Sequence, residues 1–205
     1  MKQKGLKVVS RILQVMIWIS VTFLALGTVV TILIVAIPSL FESVNLSIPI
    51  GFALQGHPGS LAIGSKDFPI EVSHAVGYFT LRGNSTGMVA IAWAFLAVGT
   101  GVTIIAEVYL RRLVDSAARG EPFERGNALR MRRLGWMAIA MGVLRALYLL
   151  ATYLYTVNRI ESDVITASGR FDLGLPFIVA GIVLLALGEV FDRGEALQTD
   201  HDLTV

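Results

Sequence analysis

The chain has 205 residues, 55% of them hydrophobic and 16% charged, with a mean hydropathy of +0.70. A soluble domain carries charge on about a quarter of its residues, so this composition excludes both disorder and a conventional soluble fold. The sequence has no cysteine, which leaves no disulfide, thiolate metal site or cysteine nucleophile. A formal net charge of +2 is too small to point to nucleic acid, so the placement of Lys and Arg matters more than their sum.

Four apolar stretches, residues 12–37, 87–110, 134–157 and 174–190, approach or exceed the roughly 20 residues that a bilayer core of about 30 Å requires. The first follows Lys2, Lys4, Lys7 and Arg11 as a signal peptide would. Its apolar run is nevertheless far longer than a signal h-region, and Ala36-Ile37-Pro38 is not a small-x-small cleavage site, so it is expected to be retained. Twelve Lys and Arg fall in the amino-terminal segment, in residues 111–133 and in the tail 191–205, against four in residues 41–86 and 158–173. Basic residues resist translocation, which predicts both termini and the 111–133 loop in the cytoplasm, with the chain in the inner membrane.

Residues 41–86 form a long connection with structure of its own. Val44, Leu46, Ile48, Ile50, Phe52 and Leu54 alternate with smaller or polar residues, the period of a strand with one buried face. Gln55 to Ser60 reads as a turn cluster, and Phe68–Ser73 and Tyr78–Leu81 as further strands. The fold class expected is an all-α membrane protein, residues 1–205 as one domain. It is a four-transmembrane-helix bundle with a small β-rich extracytoplasmic loop between helices 1 and 2. His57 and His74 lie in that loop without a carboxylate cluster, so no metal is expected.

In the inner loop, Gly120 suits the position after a helix end and Pro122 forbids further winding, so the second helix should stop near Arg119. Asn127 then suits the N-cap of a third helix carrying Arg130, Arg132 and Arg133. The seven basic residues of this loop are expected to meet anionic lipid headgroups, and no nucleic-acid reading module accompanies them.

Three ionisable residues remain within the spans: Glu107, Arg145 and Glu189. Arg145 lies near mid-bilayer, where facing lipid is costly, and shares a helical face with Gly135, Ala138, Gly142 and Ala146. It is therefore expected to point into the bundle and to pair with Glu107 or Glu189, beside a polar stripe of Thr100 and Thr103. Two carboxylates around one cation also allow a proton- or ion-coupled pathway. No metalloprotease, P-loop or dinucleotide pattern is present, and neither enzyme activity nor a cofactor is expected.

Two segments carry a family resemblance. Gly120-Glu121-Pro122-Phe123, then Asn127, Leu129-Arg130 and Leu134-Gly135-Trp136, together with the tail Val190-Phe191, Arg193-Gly194 and Leu203-Thr204-Val205, resemble the bacterial membrane family called Domain of Unknown Function 2975. The resemblance implies a small multi-pass protein of the cytoplasmic membrane. Because members are often encoded beside a small helix-turn-helix regulator, it also implies such a regulator as a partner, reached through Gly120, Pro122, Phe123, Asn127, Arg130, Phe191, Arg193 and Gly194. On local signals alone Phe123 would pack under its own turn and Gly194 would end the fourth helix. Two functions stand open: a membrane sensor or partner for that regulator, and a small ion-coupled transporter or toxin-immunity-type protein.

Overall fold

The computed structural model describes residues 2–37, 46–54, 58–63, 66–71, 75–81, 86–124, 126–157, 165–168 and 172–203. Four helices dominate: α1 (Lys2–Ala36), α2 (Thr86–Arg119), α3 (Asn127–Val157) and α4 (Leu175–Leu203). Each contains a segment long and apolar enough to cross a membrane: Gly5–Ala36, Gly87–Arg119, Asn127–Tyr155 and Leu175–Leu197. At 1.5 Å per residue the 33 residues of Gly87–Arg119 reach about 50 Å, well beyond a hydrocarbon core of about 30 Å. The helices overrun the apolar stretches because no breaker stops them. Winding of α1 starts among the amino-terminal lysines and ceases before Pro38, whose ring disfavours a helical residue in front of it. Contrary to the expected stop at Gly194, α4 passes through it and continues to Leu203; one glycine costs a helix only about 1 kcal/mol.

Between α1 and α2 lie strands β1 (Leu46–Leu54), β2 (Pro58–Ile63), β3 (Lys66–Glu71) and β4 (Ala75–Leu81), and β5 (Ile165–Ser168) lies between α3 and α4. One three-stranded sheet has the order β4-β1-β5, and β2 pairs with β3. All the pairings are antiparallel, with Ile48 opposite Phe79, Phe52 opposite Ala167 and Leu61 opposite Phe68. His57, His74, Val44, Gln55 and Gly56 lie outside the described residues, whereas Pro58–Ser60, expected in the turn cluster, already belong to β2.

The chain forms two compact units, one of residues 1–30, 93–145 and 173–205, the other of residues 31–92 and 146–172. In the second, Met88 is fully buried and Gly87 lies against Tyr155. In the first, α1 packs on α2, where Gly27 faces the Trp93 ring and Ser20 meets Glu107. Helix α2 packs on α3, with Gly99 against Met141 and Leu144 and Tyr109 against Arg133.

Backbone approaches backbone between α3 and α4. Ala128, Gly135 and Gly142 recur every seven residues on one helix, and Gly174, Gly181 and Gly188 do so on the other. Running antiparallel, the two series face each other. A Cβ added at Gly135 would lie 2.8 Å from the Gly181 carbonyl oxygen, and one at Gly181 would lie 2.7 Å from the Gly135 carbonyl oxygen. Small residues at such a seam let backbones approach closely, a main source of helix association where lipid removes the hydrophobic drive.

Candidate functional site at the α2–α3 turn

Helix α2 ends in a Schellman motif. Gly120 takes φ +89, its N–H bonds to the Ala117 carbonyl at 3.1 Å, and the Glu121 N–H reaches back to the Ser116 carbonyl at 3.2 Å. The left-handed φ is the reason glycine stands there. The next helix begins differently from the expected Asn127 cap. The Gly126 carbonyl accepts the first helical bond, from the Arg130 N–H at 3.1 Å, which makes Asn127 the first helical residue. Its side chain, 1% exposed, acts as a clasp: Nδ2 donates to Ser116 Oγ at 2.7 Å and to the Pro122 carbonyl at 3.0 Å, while Oδ1 accepts from Arg130 at 2.6 Å. Buried polar groups need such partners, and this set ties the end of α2 to the start of α3.

Glu124 closes the turn from outside, accepting from Arg119 Nη2 at 2.6 Å. A bond from the Ser116 hydroxyl first, and then the Arg119 and Arg130 charges, hold its carboxyl below the ordinary range against some desolvation. The Ser116 hydroxyl has one proton and also approaches the Glu121 carbonyl at 2.5 Å, so the Arg119 contact is the firmer of the two.

Phe123 does not fold under its own turn. Its ring sits 5.4 Å from that of Phe191, tilted by 52°, and a Cβ at Gly194 would come within 2.5 Å of Phe123 Cδ1. Gly194 is thus the floor on which Phe123 rests, and a larger residue would fill its place. Beside it, Arg132 Nη2 reaches Glu189 Oε2 and Asp192 Oδ2, both at 3.0 Å, and Arg193 lies 3.6 Å from Glu189. Gly120, Pro122, Phe123, Asn127 and Arg130 are therefore joined to Phe191, Arg193 and Gly194 in one platform built by the α2–α3 turn and α4. Arg132 and Asp192, which complete it, carry no local sequence signal, because their meeting depends on the α3/α4 register.

The residues within the spans do not assemble as expected. Arg145 is exposed on α3 and pairs with neither Glu107 nor Glu189. Depth explains this. Gly99 faces Leu144, and Glu107 lies eight residues, about 12 Å, further toward the α2–α3 turn. Glu189 is taken by Arg132 at the platform. Glu107 is buried and accepts from Ser20 Oγ at 3.3 Å, while its Oε2 has no hydrogen-bond partner. Thr103 is exposed and bonds back to the Gly99 carbonyl at 3.0 Å, apart from Glu107. Among the described residues no group of three His, Cys, Asp or Glu could hold a metal ion. Residues 83–87 do carry a Gly-x-Ser-x-Gly spacing, whose Ser85 lies outside the described residues.

Four helices long and apolar enough to cross a bilayer define a small multi-pass membrane protein. The family model described as Protein of unknown function (DUF2975) matches residues 71–205, and the chain belongs to that family. No curated protein and no solved structure matches it.

Proposed function

We propose that the chain is a non-enzymatic membrane sensor whose platform docks a small cytoplasmic helix-turn-helix regulator. In this reading the protein lies in the inner membrane with both termini and the α2–α3 turn in the cytoplasm, and the strand-bearing segment 41–86 faces outward. The twelve-to-four distribution of Lys and Arg supports the orientation. One observation carries the rest: the seat of Phe123 on Phe191 and Gly194 makes one continuous surface of the two segments that bear the family resemblance. That surface presents charge outward, with the Arg193 side chain 77% exposed. Such a site suits a protein partner better than a small substrate, since it is open and built of ion pairs.

The test is capture of the regulator encoded beside the gene by the full-length protein in detergent. Capture that fails on Arg193→Glu and on removal of residues 192–205, while the protein keeps its thermal transition, supports the reading. Capture unchanged by both alterations sinks it. A second reading, a small ion-coupled transporter or toxin-immunity-type protein, is favoured by the buried carboxylate oxygen of Glu107 that has no hydrogen-bond partner. It requires flux into proteoliposomes that Glu107→Gln abolishes.

A further inference from the structure

Most of the arginines near the platform are engaged with carboxylates. Arg111 faces Asp115, Arg119 faces Glu121 and Glu124, and Arg132 and Arg193 share Glu189. Arg133 is different. It is exposed, its Nη1 donates to the Tyr109 hydroxyl at 2.8 Å, and its guanidinium carbon lies 5.6 Å from the centre of the same ring. Tyrosine holds this cation in place without neutralising it, since both contacts use the phenol and neither supplies a negative charge. An arginine has five N–H donors, so most remain available in the planar fork that fits a phosphate with two parallel bonds.

The surroundings indicate where that phosphate comes from. Trp136, three residues further along α3 on the same side, is 63% exposed, and beyond it the exposed residues of that stripe are Ala140 and Val143. On this stripe Arg133 is thus followed by Trp136 and then by apolar exposed residues alone, the sequence of groups found where a helix leaves the headgroups and enters the acyl chains. A free phosphate gains nothing from Trp136, whereas a lipid places its phosphate on Arg133 and its chains along the indole.

We propose that Arg133, fixed by Tyr109 and flanked by Trp136, is a binding site for the headgroup of an anionic glycerophospholipid. The proposal rests on the four membrane-crossing helices and not on the regulator, so either can fail alone. Native mass spectrometry of the full-length protein in detergent, titrated with equal amounts of phosphatidylglycerol and phosphatidylcholine, tests it. The wild type should prefer phosphatidylglycerol, and Arg133→Gln should cut that preference about five-fold, the value of one basic residue at an anionic membrane surface. Arg112→Gln, which removes an exposed arginine that no aromatic ring holds, should change it less. Tyr109→Phe keeps the ring but frees the guanidinium from the hydroxyl, and should give a partial loss if Arg133→Gln does not fold. The proposal is overturned if the Arg133 and Arg112 variants lose preference equally. It is also overturned if inorganic phosphate at the lipid's concentration displaces the bound phosphatidylglycerol, or if the wild type shows no preference.

Discussion

Substituting Gly181 by alanine tests the α3/α4 seam directly. The added carbon would lie 2.7 Å from the Gly135 carbonyl oxygen and 2.6 Å from Ile139 Cγ1, where ordinary contact starts near 3.4 Å. Backbone cannot rotate away, so the two helices must part by roughly 0.7 Å, and such overpacking costs about 1–3 kcal/mol. Alanine also favours the helix over glycine by up to about 1 kcal/mol, which would mask part of the loss. Gly101→Ala measures that gain alone, because a Cβ there meets nothing within 4 Å. Equilibrium unfolding in mixed micelles should therefore place Gly181→Ala about 1–3 kcal/mol below Gly101→Ala, a factor of roughly 5 to 150 in the folded-to-unfolded ratio. Adding Gly135→Ala to Gly181→Ala should cost less than the two single losses together, since helices already parted accommodate the second methyl. Equal stability of the Gly181 and Gly101 variants would refute the close seam.

Three further outcomes follow from the platform. Asn127→Ala should lose about 1–3 kcal/mol in the same assay, because it strips partners from the buried Ser116 hydroxyl and the Pro122 carbonyl; no loss would deny the clasp. Arg132→Gln should cost under about 1 kcal/mol and the deficit should vanish in high salt, since its ion pairs with Glu189 and Asp192 are half-exposed; a larger, salt-independent loss would contradict this. The Glu124 carboxyl is held below its ordinary value, so its stabilisation is complete above the ordinary value of 4.5 and is lost as pH falls through the lowered one. Amide protection at residues 119–124, taken relative to the intrinsic exchange rate at each pH, should fall in acid below that range, and Glu124→Gln should remove the dependence.

Much of this fold is legible in the sequence. Runs of apolar residues set the four helices, and the Gly120–Pro122 pair marked the end of α2, because both signals are local in the chain. The partner of Arg145 is not legible in the sequence, for the opposite reason. A helical wheel gives the face of a residue but not the depth of its partner, and a shift of eight residues along α2 removed Glu107 from reach. Phe123 shows the same limit, since its seat lies on a helix far along the chain. The seven-residue glycine spacing of α4, set against Ala128, Gly135 and Gly142, does carry the α3/α4 register, and with it the meeting of Arg132 and Glu189.

The seat of Phe123 on Phe191 and Gly194 also orders events during synthesis. The turn between α2 and α3 emerges from the ribosome long before the helix that covers it. Until α4 is made and its glycines have slid into register, Phe123 stands bare at the end of a three-helix intermediate. A chain stalled or cut ahead of residue 191 therefore leaves bare an aromatic face that Phe191 and Gly194 partly cover in the finished protein, giving a membrane protease a physical basis for telling incomplete copies from complete ones.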